Sequence, residues 1–129
     1  MCLITLISLK LPACYCLLTD INSKACLASR ATARINKAGV EVVRTETVRS
    51  LERLKASVDI LVCNPPYVAT ETTETGQTDL QAAWAGGTDG MNVTREVIDS
   101  LDGLLTESGV AYIVLEQCNK PATVCQYVR

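Results

Sequence analysis

The stretch Val58-Asp59-Ile60-Leu61-Val62-Cys63-Asn64-Pro65-Pro66-Tyr67 constrains the fold more than any other: an apolar run of strand length ends on two consecutive prolines. Proline has no N–H to give to a ladder and its ring locks φ, so a strand stops here and the connection after it is stiff. An unbroken apolar run, rather than an alternating one, marks a strand buried on both faces and therefore a parallel sheet. Open α/β sheets bind their ligands at the carboxyl ends of their strands. At that edge the chain presents the Asn64 amide, which both donates and accepts, the carbonyls of Pro65 and Pro66 with no N–H of their own, and the flat ring of Tyr67. Such a set suits a planar NH2 group; the plainer reading is a rigid strand-ending turn and nothing more.

The remaining elements follow from pattern. Cys14-Tyr15-Cys16-Leu17-Leu18 is an apolar strand ending at Thr19-Asp20-Ile21-Asn22, after which Asn22 or Ser23 can cap a helix running to about Ala38. Ala25, Ala28, Ala31 or Thr32, and Ile35 recur at helical spacing, and Gly39 supplies a stop. Val40-Glu41-Val42-Val43-Arg44 is a second strand, a helical turn covers Ser50 to Leu54, and Val58 to Cys63 is the third. A long loop from Val68 to about Asn92 carries the only tryptophan, and loops of this length tend to be functional or disordered. Val93 to Leu105 reads as a helix with Val97, Ile98, Leu101 and Leu105 on one side. Gly109 to Leu115 is a fourth buried strand, and Pro121 opens a last helix. The alternation argues an α/β fold with a right-handed parallel crossover sheet.

Composition narrows the chemistry. A chain of 129 residues, 48% hydrophobic with a net charge of −2, fits a globular domain that is short for a complete doubly wound enzyme. Residues 1–13 form an atypical apolar segment ahead of the domain at 14–129; it lacks a basic start, and Lys10 and Pro12 interrupt the run, so we expect buried strand there rather than a signal or a membrane span. There are seven cysteines and no histidine. The odd number, the lack of Cys-x-x-Cys spacing and the missing imidazole argue against a metal site and favour a reducing cytosol. His-based triads are excluded, so any reaction here needs little proton shuttling. Between Lys24 and Lys55 eight basic residues stand against three acidic ones. Dispersed and without interleaved aromatics, they read first as a solvated helix face and second as a nucleic-acid patch.

Three polar sites fall at the carboxyl ends of the successive strands: Asp20, Glu46 with Thr45, and Asn64. An acid after an early strand can accept the two hydroxyls of a ribose. Asp20 also suits the positive end of a helix dipole, and Glu46 needs no explanation as a surface carboxylate.

Asn64-Pro65-Pro66-Tyr67 behind its strand resembles the motif of S-adenosylmethionine-dependent methyltransferases that act on planar nitrogens, the HemK-type glutamine methyltransferases and the adenine-N6 methyltransferases. Together with Thr19-Asp20-Ile21-Asn22 and Ala82-Ala83-Trp84-Ala85-Gly86-Gly87-Thr88-Asp89-Gly90, it is similar to the eukaryotic and archaeal HemK-type branch, over about Cys14 to Leu115. That resemblance implies a partial doubly wound (Rossmann-like) class I methyltransferase fold lacking the first strand with its Gly-rich loop and the terminal strands; no glycine precedes Gly39. It implies that Asp20 and Ile21 hold the ribose of S-adenosyl-L-methionine, that Glu46 and Thr47 lie by its adenine, and that Asn64, Pro65, Pro66 and Tyr67 grip a glutamine amide, with Asn64 also bordering the cofactor. The implied substrate is a class-1 translation release factor, and the implied partner a small zinc-containing activator subunit forming a heterodimer. The cytoplasm is the expected compartment, with the nucleus second, and no membrane is involved. Two other readings stand: a nucleic-acid adenine as acceptor, and a non-catalytic binding fragment.

Overall fold

The computed structural model describes residues 13–70 and 83–128. The apolar amino-terminal segment and the middle of the long loop, 71–82, lie outside the described residues. The chain forms two compact units, Met1–Thr47 and Val48–Arg129.

In the first unit, strand β1 (Cys16–Asp20) leads through helix α1 (Ser23–Ile35) into strand β2 (Val40–Arg44). The strands are parallel, in register from Cys16 opposite Val40 to Asp20 opposite Arg44, and α1 is the crossover that parallel neighbours need. Asn22 starts α1: its side-chain oxygen accepts from the N–H groups of Lys24 (2.8 Å) and Ala25 (3.2 Å), two of the four donors a helix leaves unpaired at its start. The helix ends three residues earlier than the expected Ala38, and not at Gly39. Lys37 takes the left-handed conformation (φ 53°) and donates to the Arg34 carbonyl, while Ala38 donates to that of Ala33. These are the two bonds of a Schellman stop, here built on a lysine instead of a glycine.

The buried stripe of α1 also differs from the expected one. Cys26, Ser29 and Ala33 face inward, whereas Leu27 and Ile35 are exposed (63% and 80%). Small side chains let the helix lie close on its two strands, and Ser29 satisfies its buried hydroxyl on the Ala25 carbonyl at 2.7 Å. An alanine-rich helix offers little hydrophobic contrast from which periodicity could pick a face. Two of the basic residues tie backbone within this unit: Arg30 donates to the Val42 carbonyl (2.8 Å) and Arg44 to that of Ile21 (2.9 Å).

In the second unit, two 3₁₀ turns (Val48–Leu54) precede strand β3 (Val58–Cys63), and helix α2 (Asn92–Leu104) runs directly into strand β4 (Leu105–Ile113). A one-turn 3₁₀ helix (Gln117–Asn119) and helix α3 (Pro121–Tyr127), with the proline in its first turn as expected, complete the described chain. The core is the face of α2 carrying Thr94, Val97, Ile98, Leu101 and Leu104; Leu105, expected on it, has already left the helix. β4 begins earlier than the expected Gly109 because Leu105 pairs with Val58 before a bulge that restores register at Ile60 opposite Val110. The turn entering β3 docks on the end of α2, with Ala56 and Ser57 donating to the carbonyls of Gly103 and Leu104.

The α/β class, the element order and the parallel pairing are as the sequence predicts. Among the described residues the parallel pairs are β1 with β2 in the first unit and β3 with β4 in the second, the short parallel sheets of a partial Rossmann-like fold. Each pair is joined by a full helix, the crossover that parallel neighbours use. Among the described residues no helix is long and apolar enough to cross a membrane.

Candidate functional site

In the second unit the end of β3 is held from both sides. The Cys63 carbonyl accepts from Val114 N–H at 3.0 Å, and four residues later the Tyr67 carbonyl accepts from the Asn119 side-chain amide at 3.0 Å. Between these anchors Pro65 is buried, Pro66 and Tyr67 are half-buried, and Asn64 is exposed. The Asn64 amide makes no hydrogen bond to another described residue, so its donor and acceptor capacity is available to a ligand.

A second segment forms the wall behind this turn. Val68 donates to the Trp84 carbonyl (3.0 Å) and accepts from Gly86 N–H (2.8 Å), and Thr70 donates to the Gly87 carbonyl (2.8 Å) and accepts from Gly87 N–H on its hydroxyl (3.1 Å). The two backbones meet where glycines leave room. A Cβ on Gly86 would lie 2.5 Å from the Pro66 carbonyl oxygen, and one on Gly90, whose φ is +70°, would lie 2.2 Å from that of Tyr67. Asp89, beside Gly90, accepts from Met91 N–H and pairs with Arg95, whose guanidinium holds its carboxyl below the usual range; this pins the turn to the start of α2. At the other end of the unit Tyr127 donates to Asp99 at 2.6 Å, tying α3 to α2 and raising the tyrosine hydroxyl above its ordinary pKa.

Cys63 precedes Asn64, and burial pushes its thiol from an ordinary value near 9 up to about 11. A raised folded-state value means that the stabilising contribution of the neutral thiol is complete below pH 9 and is lost as the pH climbs through 11. Wild type should therefore lose denaturant resistance between pH 9 and pH 11. A Cys63→Ala variant should lose visibly less across the same interval, and equal losses in parallel urea titrations would refute the assignment.

In the first unit the carboxyl ends of β1 and β2 bring Asp20, Ile21, Glu46 and Thr47 to one edge. Asp20 is the last residue of β1, not the first beyond it, because its carbonyl accepts from Thr45 N–H at 3.1 Å and so extends the pairing. One carboxylate oxygen of Asp20 accepts from Asn22 N–H at 2.8 Å and shapes the entry to α1; the other bonds no described residue. The helix-entry and ligand-binding readings are thus compatible on one side chain. Glu46 is exposed, Thr47 half-buried, and Ile21 38% exposed. The candidates thus fall into two sets, one in each unit. Sequence reasoning passed over Asn119 and the packing role of Gly86 and Gly90; a Gly-Gly pair and a third glycine in one short segment was the only signal.

Residues 2–124 match the family model described as "Methyltransferase small domain". The chain is 40% identical over 114 residues to the mouse protein "Methyltransferase HEMK2", covering 88% of this chain and 53% of that one. It is 37% identical over 120 residues to the "eRF1 methyltransferase catalytic subunit mtq2" of Schizosaccharomyces pombe, covering 87% and 52%. With the "Release factor glutamine methyltransferase" of Mycobacterium tuberculosis it shares 36% identity over 99 residues, 71% of this chain and 33% of that one. The chain therefore spans about half the length of the first two relatives. A match that runs over nearly the whole chain, on a parallel α/β framework with a rigid Asn-Pro-Pro-Tyr turn at a strand end, makes this a member of the methyltransferase small domain family, HemK-type in its similarities.

Proposed function

We propose that this chain is part of an S-adenosylmethionine-dependent methyltransferase that methylates the side-chain amide nitrogen of a glutamine in a class-1 translation release factor. The observation that carries the reading is the Asn64–Tyr67 turn, anchored at Cys63 and Tyr67, with the Asn64 amide exposed and unpaired among the described residues. An amide nitrogen is a poor nucleophile because its lone pair is delocalised into the carbonyl. Hydrogen bonds from its NH2 to the Asn64 side-chain oxygen and the Pro65 carbonyl would orient it, with Tyr67 packed on its flat face; the N–C bond would form as the sulfonium S–CH3 bond breaks to leave a neutral thioether, and the proton then shed by the nitrogen would pass to solvent. Fixing the geometry in advance is worth several kcal/mol or more of a bimolecular barrier, up to ~7–11 in favourable cases.

The methyl donor would supply an electrophilic methyl group on a sulfonium. Its adenosine part suits the first unit: the unused Asp20 oxygen can accept from ribose hydroxyls, Ile21 offers an apolar surface, and Glu46 with Thr47 offers acceptors for an adenine amino group. A small zinc-containing activator subunit is the proposed partner, and the cytosol, where release factors act, the proposed compartment, with the nucleus second. An adenine acceptor has less support, because Arg30 and Arg44 are engaged with backbone carbonyls.

Labelled S-adenosylmethionine with purified chain, with and without the activator subunit, should transfer methyl to a release factor and lose that transfer when the glutamine of its Gly-Gly-Gln loop is changed to alanine. Transfer to an adenine-bearing oligonucleotide instead would overturn the substrate. Absence of both transfer and calorimetric cofactor binding would establish the chain as a non-catalytic fragment.

A further inference from the structure

Asn119 is 5% exposed, and its side chain bonds backbone in two distant segments as well as at the start of its own 3₁₀ turn. Its amide nitrogen donates to the carbonyls of Tyr67 (3.0 Å) and Asp89 (3.3 Å), and its oxygen accepts from Glu116 N–H (3.0 Å). One side chain therefore joins the Asn-Pro-Pro-Tyr turn, the glycine turn behind it and the exit of β4. Asparagine alone meets this demand at this length: two donors aimed at carbonyls and one acceptor aimed at an N–H. Gly90 makes the room, since a Cβ there would lie 2.7 Å from the Asn119 nitrogen.

We propose that Asn119 is a positioning residue for the acceptor grip. The prolines fix φ at two of the four residues of the turn. The orientation of Asn64 then depends on the peptide planes at its two ends, one held by Val114 and the other by Asn119. Asn119 touches no reacting atom; it sets the angle at which Asn64 and the Pro65 carbonyl meet a planar NH2. This inference rests on reading Asn64 as that grip.

The test is Asn119→Asp in the full 129-residue chain, an isosteric change that keeps the acceptor for Glu116 and turns the donor into a carboxylate oxygen facing two carbonyls. Leu101→Ala serves as a control that weakens the core of α2 without touching the turn. For Asn119→Asp, amide exchange at Val68 and Gly90 should accelerate by about tenfold or more while β4 amides from Val110 to Ile113 keep their protection, a local opening. Leu101→Ala should speed both groups together. In methyl transfer, Asn119→Asp should lower kcat by about tenfold with the KM for the donor within about twofold, the split expected of lost alignment rather than lost binding. Unchanged exchange at Val68 and Gly90, or acceleration shared with β4, would overturn the proposal. If the unaltered chain transfers no methyl group, the proposed activity fails for this chain, and the exchange measurement decides the role of Asn119 by itself.

Discussion

Replacing Gly90 by alanine should destabilise the second unit by at least about 3 kcal/mol, the scale of the largest single-residue effects that have a named steric cause. Two terms combine. An L-residue at φ +70° is held in the left-handed region, which costs roughly 1–2 kcal/mol. The new Cβ would also meet the Tyr67 carbonyl oxygen at 2.2 Å and its carbon at 2.9 Å, and both are backbone atoms with no rotamer to change. Relief requires moving either the glycine turn or the Asn-Pro-Pro-Tyr turn, and with it the bond from Asn119. Gly103→Ala provides the opposite sign in the same experiment. Nothing lies within 4 Å of a Cβ built there, and the residue sits in α2, so the change should stabilise by up to ~1 kcal/mol. Urea unfolding of the three proteins checks both. If Gly90→Ala unfolded at the wild-type midpoint, the tight packing between the two turns would be wrong.

Asn64→Ala should lower methyl transfer by about a hundredfold or more, the usual result of removing one pre-aimed hydrogen-bonding group from a reacting centre. The fall should appear in kcat, with cofactor binding by calorimetry changed far less, because four of the five cofactor-facing candidates, Asp20, Ile21, Glu46 and Thr47, belong to the other unit. Stability should barely change: Asn64 is exposed and its amide supports no other described residue. That combination separates it from Gly90→Ala, where structure and activity fall together. Activity retained by Asn64→Ala would end the assignment of this residue as the grip.

Local chemistry explains which parts could be read from the chain. Strand β3 spans the expected Val58 to Cys63 because proline ends a ladder whatever surrounds it. The buried face of α2 was largely predictable because Val97, Ile98 and Leu101 contrast sharply with their charged neighbours. In α1, by contrast, alanine lies all around the helix, and the choice of Cys26, Ser29 and Ala33 was made by how closely a helix can approach two strands. β1 lies two residues beyond its expected position for a related reason: Thr19 and Asp20, polar and unpromising as strand, are drawn in by Val43 and Arg44 opposite them. Which strands pair depends on contacts between segments distant in sequence, which no local pattern encodes. At the site, Asn64 to Tyr67 were legible because the motif is continuous. Asn119 was not, since nothing in Gln117-Cys118-Asn119 indicates what its amide reaches.

The bonds from Asn119 close chain separations of 52 residues to Tyr67 and 30 to Asp89. In a polypeptide made from its amino terminus, β3 and its proline turn are complete long before the residue that fixes their angle exists. Contacts of such separation pay their loop-closure entropy late, so the turn is expected to be among the last parts of the second unit to become ordered and among the first to loosen on warming. Competence for recognising an NH2 group would then arrive only after Asn119 is in place, and a nascent protein would carry the motif for some time before it could use it.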